Sequence, residues 1–119
     1  MASSKTFEDL KVWQSAHALV LEIYKLTQSF PDHEQFGLIA QIRRAAISIP
    51  ANIAEGFAKT GAKDKARFYN IAQGSLEECK YYLILANDLK YGKNPKINDL
   101  LTETAKLLSA YRRAMLAKS

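Results

Sequence analysis

Little in this sequence could staple, break or span. One cysteine, Cys79, excludes a disulfide within the chain and fits a reducing compartment, so a cytoplasmic location is expected. Two histidines, His17 and His33, are scarce material for a metal centre, and no metal or other cofactor is expected. The longest uninterrupted apolar run, Tyr81 to Ala86, falls far short of the roughly 20 residues a membrane-spanning helix needs. The first residues, Met-Ala-Ser-Ser-Lys-Thr, lead into no secretory apolar region. No stretch alternates with period two for long, and no Asn-Gly or Asp-Gly pair signals a hairpin. A phosphate-cradling Walker loop, a Gly-x-Ser-x-Gly elbow and a dinucleotide fingerprint are all missing. An enzyme is therefore not expected.

What is present suits one compact domain. A chain of 119 residues, 48% hydrophobic and 24% charged, buries roughly 65% of its unfolded surface and holds a core without staples. Apolar residues recur at helical spacing four times. The first stripe is Val12, Ala16, Leu19, Ile23, Leu26 and Phe30, with a second, Trp13, Val20 and Tyr24, beside it. That width exceeds what one neighbouring helix covers. The others run Ile39 to Phe57, Phe68 to Ala86 and Ile97 to Met115, which predicts helices over 8–30, 33–59, 62–90 and 95–116.

The few prolines and glycines mark the joints. Pro31-Asp32 stops the first helix, with Asp32 as cap and Gln35 three residues on as a capping box for the second. Gly61 offers a left-handed stop to the second helix. Asn94-Pro95 opens the fourth, with Asn as cap and Pro where its missing N–H costs nothing. Short joints make consecutive helices antiparallel neighbours, so the expected fold is all-α, an antiparallel up-down-up-down four-helix bundle. Pro50 lies inside the second helix and should kink it without ending it, because the apolar spacing continues through Ile53 and Phe57.

Charge is unevenly spread. Residues 1–57 carry five basic side chains against six acids, whereas residues 58–119 carry twelve against six. In an up-down bundle the chain's start, its end and the second joint share one end. Lys59, Lys63, Lys65, Arg67, Arg112, Arg113 and Lys118 should gather there, with Lys5 and Lys11 beside them. Such a surface suits a polyanion; a solvated rim that aids solubility is the plainer reading.

A polar stripe on the second helix comprises Gln41, Arg44, Ser48, Asn52 and Glu55. Antiparallel pairing with the third helix would set Arg44 against Glu77 or Glu78, Ser48 against Gln73 or Gly74, Asn52 against Tyr69 or Asn70, and Glu55 near Lys65, Ala66 or Arg67. These residues are read as a structural seam rather than a ligand site. Gly74-Ser75 in mid-helix suggests a close backbone approach. Cys79 shares a face with Leu76 and Leu83 and is expected to be buried and inert. Adjacent Glu77 and Glu78 point about 100° apart, a poor carboxylate dyad.

Phe7-Glu-Asp-Leu-Lys-Val-Trp13, Phe30-Pro31, Gln41-Ile-Arg-Arg44, Ser48-Ile-Pro50-Ala-Asn52-Ile-Ala-Glu55-Gly56-Phe, Arg67-Phe68 and Gly74-Ser75-Leu76-Glu77-Glu78 together resemble the four-helix-bundle proteins of the 23S ribosomal RNA intervening-sequence family. The likeness runs from about Phe7 to the end of the third helix; the fourth is similar in pattern only. It implies a small bacterial protein, often encoded within an insertion in a 23S rRNA gene, that assembles as a homopentamer. Self-assembly would account for the wide apolar face of the first helix. A related branch, the accessory protein of diversity-generating retroelements, is a basic pentamer that binds nucleic acid and a reverse transcriptase. The family brings no catalytic residues. The expected function is non-enzymatic binding of nucleic acid, structured RNA foremost, by an oligomer through its basic end. The alternative is a scaffold or accessory factor whose partner is another protein.

Overall fold

The computed structural model describes residues 4–118. Four helices carry the fold: α1 (Lys11–Thr27), α2 (Leu38–Ala58), α3 (Ala62–Asp88) and α4 (Pro95–Lys118). Two 3-10 turns, Phe7–Asp9 and Asp32–Glu34, precede α1 and α2, and there is no strand among the described residues. Among the described residues no helix is long and apolar enough to cross a membrane.

The contacts fix an antiparallel order. Ser15 meets Thr104 at 2.7 Å and Glu22 meets Lys96 at 3.6 Å, so α1 and α4 run oppositely. Ser48 meets Ser75 at 2.8 Å while Lys65 reaches the Phe57 carbonyl at 2.7 Å, which does the same for α2 and α3. Each helix packs on two neighbours, with α1 opposite α3 and α2 opposite α4. The bundle measures 46 × 23 × 19 Å.

The core follows the predicted stripes: Val12, Leu19, Ile23, Ile42, Ile49, Ile53 and Leu108 are wholly buried. Two positions differ. Tyr69, not Phe68, is the core ring of early α3, and Leu38 rather than Ile39 is the buried side chain at the start of α2. Gly56 explains the first. A Cβ there would lie 2.9 Å from Tyr69 Cε1 and 3.1 Å from Phe68 Cβ, so the bare backbone makes the slot that Tyr69 fills. The close approach expected at Gly74 is absent, since an added Cβ there meets nothing within 4 Å.

The joints also hold surprises. Asp32 does not cap α2. Residues 32–34 coil into a 3-10 turn, and the Glu34 carboxylate accepts the Leu38 N–H at 3.1 Å, so α2 starts at Leu38. Gly61 is not left-handed: its φ of −87° is extended, and it leads into α3 instead of ending α2. The left-handed residue is Lys90, φ 63°, one position beyond the end cap of α3. There the Tyr91 N–H donates to the Ala86 carbonyl at 2.9 Å and the Lys90 N–H to that of Asn87 at 3.0 Å. This is the Schellman closure, with lysine where glycine is usual. At α4 the Asn94 side chain accepts the Lys96 N–H at 3.0 Å, as expected of a cap. α2 runs unbroken through Pro50.

Candidate nucleic-acid interface

The antiparallel order puts the start of α1, the α2–α3 joint and the end of α4 at one end of the bundle. Nine basic side chains belong to that end (Lys5, Lys11, Lys59, Lys63, Lys65, Arg67, Arg112, Arg113 and Lys118) against four acids, Glu8, Asp9, Glu55 and Asp64. What the seven from the α2–α3 joint and the end of α4 do there separates them into three groups.

Lys65 is committed internally. Its ammonium donates to the carbonyls of Phe57 at 2.7 Å and Gly56 at 3.3 Å, joining the Lys59 N–H, which donates to Gly56 at 3.2 Å, in closing the C-terminus of α2 where the helix dipole is negative. It also lies 5.3 Å from the Phe57 ring centroid. Burial and the nearby Lys118 charge hold its pKa below the ordinary lysine value. It serves as a positioning cation.

Lys59 and Arg67 form a second group, around an aromatic platform. The Lys59 ammonium stands 5.1 Å and the Arg67 guanidinium 4.5 Å from the centroid of the Phe68 ring. Each cation has a weak carboxylate neighbour, Glu55 at 3.8 Å and Asp64 at 3.2 Å respectively. These surface pairs are worth little and yield readily to a stronger anion. Sequence spacing assigns Phe68 to the core; the structure makes it a half-buried base for two cations. The adjacency of Arg67 and Phe68, with Lys59 eight residues back across a tight joint, is the signal that spacing overlooked.

Lys63, Arg113 and Lys118 are exposed and, among the described residues, belong to no ion pair. Arg112 is half-buried, and its Nε–H is buried with no hydrogen-bond acceptor among the described residues. A buried donor left open costs on the order of 1–3 kcal/mol. This third group is the free positive charge of the end.

The polar stripe resolves into a smaller seam. Ser48, Ser75 and Asn52 come together, with the Asn52 amide donating to the Ser48 carbonyl at 2.8 Å and to its hydroxyl at 2.9 Å. Gln41, Arg44, Glu55, Glu77 and Glu78 lie exposed beside it. The expected Arg44 contact with Glu77 or Glu78 is not among the ion pairs of the described residues, and Glu55 turns to Lys59 instead of Lys65. Arg43 was not singled out by sequence. It lies 4.4 Å from the Tyr24 ring centroid and donates to Thr27 Oγ1 at 2.8 Å, tying α2 to α1.

The histidines stay apart. His17 stacks on Trp13 at 4.9 Å along α1, whereas His33 lies at the far end beside Tyr91. Among the described residues no three His, Cys, Asp or Glu side chains could share a metal ion. Cys79 is buried, and desolvation with the nearby Glu78 charge pushes its thiol up to about 12, far from the thiolate a nucleophile requires.

A family model described as 23S rRNA-intervening sequence protein matches residues 8–112. Among solved structures, one of a protein with unknown function from the S23 ribosomal protein family of Bacteroides thetaiotaomicron superposes with a TM-score of 0.77 at 27% identity, covering 86% of this chain and 95% of that one. No functionally curated protein matches.

Proposed function

Because this chain belongs to the 23S rRNA-intervening sequence protein family, we propose that it is a non-enzymatic, homopentameric cytoplasmic protein that binds nucleic acid through the basic end of its bundle. Structured RNA is the favoured ligand. The observation that carries this reading is the nine-to-four excess of cations at one end, within which Lys63, Arg113 and Lys118 have no carboxylate partner among the described residues. The buried, acceptor-free Nε–H of Arg112 adds a donor suited to a phosphate oxygen. Contacts of this kind read phosphate positions and helix shape, not base sequence. Repeating the end around a ring multiplies the field and tolerates many RNA shapes.

The test is a salt titration of binding to rRNA fragments and to duplex DNA, on protein whose oligomeric mass is measured alongside. Four phosphate contacts from one chain give a log–log slope of about −4 on duplex DNA and about −3 on single strands. A steeper slope requires several copies of the end to engage at once. Changing Lys63, Arg67, Arg113 and Lys118 together to Glu should abolish binding at near-physiological salt while leaving helical content intact, since all four are exposed. Salt-independent binding, or binding untouched by that change, refutes the reading. Protein that binds neither RNA nor DNA points instead to the scaffold role.

A further inference from the structure

The other end of the bundle carries an unexplained aromatic. Phe36 sits between the 3-10 turn and α2 with 88% of its surface exposed, the most exposed of the large apolar side chains. Nothing local requires it. The turn is already closed by Glu34, which accepts from the Leu38 N–H and, through its other oxygen, from the Tyr91 hydroxyl at 2.8 Å. A bare phenylalanine at a loop tip, with on the order of 150–250 Å² to bury, is the kind of side chain that anchors an interface.

A candidate socket lies between the last two helices. Between α3 and α4 runs a half-open groove of about 620 Å³, floored by Leu83, Ile84 and Leu101, with Lys80, Lys93, Lys106 and one acid, Glu77, among its polar walls. Ile84 is 52% exposed there. Among the described residues none of the three lysines has a carboxylate within ion-pair distance. The segment that presents Phe36, Asp32-His-Glu-Gln-Phe36, contains two acids and neither lysine nor arginine. The groove, with three lysines against one acid, thus complements the segment's acidic charge.

Placement matches too. Tyr91 bonds the Glu34 carboxylate, so the Phe36 loop lies level with the Lys93 end of the groove. A knob and a socket at different places on one chain suit a head-to-tail contact, the kind a closed ring requires.

From this we infer that the α3–α4 groove is the seat of a second copy of this chain, which inserts Phe36 with its acidic flank against the groove's lysines. The contact leaves the basic end free. It rests on the self-assembly part of the proposed function and specifies the surfaces that perform it.

Sedimentation of the full chain and two variants tests it. Phe36→Ser removes the knob and Ile84→Asp spoils the socket; both positions are exposed, so helical content by circular dichroism should not change. Each variant alone should assemble only at concentrations roughly 30-fold or more above wild type, the scale of losing an interface anchor. Mixed together, they should form a 1:1 dimer and nothing larger, because only the Phe36 of the Ile84→Asp chain finds an intact groove. Misfolding could not produce that pairing. Wild-type assembly with both variants keeping full mass overturns the inference and leaves self-assembly standing, and variants that dissociate but fail to pair overturn it as well. A wild-type chain that is monomeric throughout removes the self-assembly reading itself.

Discussion

The two mid-helix glycines should respond to alanine with opposite signs. In a helix interior, glycine costs about 1 kcal/mol relative to alanine, mostly through the extra freedom of the unfolded chain. At Gly74 that gain is collected in full, because the new methyl meets nothing within 4 Å. At Gly56 the same methyl would come within 2.9 Å of Tyr69 Cε1 and 3.1 Å of Phe68 Cβ. Neither neighbour can give easily. Tyr69 is only 2% exposed, so its ring has nowhere to swing, and a Cβ moves only with its backbone. Overpacking of this kind costs about 1–3 kcal/mol, which outweighs the propensity gain.

The expected result is a Gly74→Ala chain more stable by about 1 kcal/mol and a Gly56→Ala chain less stable by about 1–2 kcal/mol. At about 4 °C per kcal/mol for a domain of this size, the two midpoints should lie roughly 10 °C apart. Thermal and urea unfolding followed by helical circular dichroism reads this directly, at one protein concentration because assembly adds stability by mass action. A Gly56→Ala chain as stable as Gly74→Ala would refute the account of how α2 and α3 meet. A destabilised Gly74→Ala with reduced mass would mean that another copy approaches that backbone.

Lys90, held at φ 63° in the α3 end closure, should gain about 1 kcal/mol on replacement by glycine, seen as a higher urea midpoint at unchanged slope. Ser15→Ala should cost about 1–3 kcal/mol in urea unfolding by stranding the wholly buried Thr104 hydroxyl, whereas Ser15→Ala with Thr104→Val should recover most of the loss. The buried Cys79 thiol sets an alkaline limb. Burial holds its folded pKa at about 12, above the ordinary thiol range, so the native state keeps the proton more tightly. Stability should therefore fall as pH rises from about 9 toward 12, and Cys79→Ala should flatten that limb in pH-dependent melting. Glu34 works the other way: hydrogen bonds from Leu38 and Tyr91 lower its pKa, so its contribution is present above the ordinary carboxylate range and lost as pH falls through the lowered value. Glu34→Gln should blunt the acid limb of the same measurement.

The helices were legible because a 3.6-residue apolar period leaves little choice when steps of three and four persist for five turns. Topology followed, since short joints allow only antiparallel neighbours. The charged end followed from topology. What could not be read was the reason for each glycine, which depends on the side chain opposite. Gly74 and Gly56 look alike in sequence, yet only Gly56 faces a buried ring. The commitment of Lys65 was likewise hidden, because it depends on where the last carbonyls of α2 point. The start of α2 was misplaced for a related reason. Asp32 and Glu34 both suit a helix start, and the choice rests on Tyr91, 57 residues away from Glu34, which bonds the Glu34 carboxylate.

The interior of the bundle is chemically closed, and that bears on where its work is done. Ser15 is answered by Thr104, Ser75 by Ser48, Thr27 by Arg43, and Cys79 is protonated and enclosed. Buried polar groups that satisfy one another specify a fold but offer nothing to a ligand. Two features of the chain remain open. One is Phe36, apolar and in water; the other is the Nε–H of Arg112, polar and out of it. Each is the wrong chemistry for its surroundings in a lone chain, and each would be corrected by an added surface, apolar for the first and anionic for the second. They stand at opposite ends of a 46 Å bundle, so one end can hold a neighbouring copy while the other meets phosphate without either contact obstructing the other.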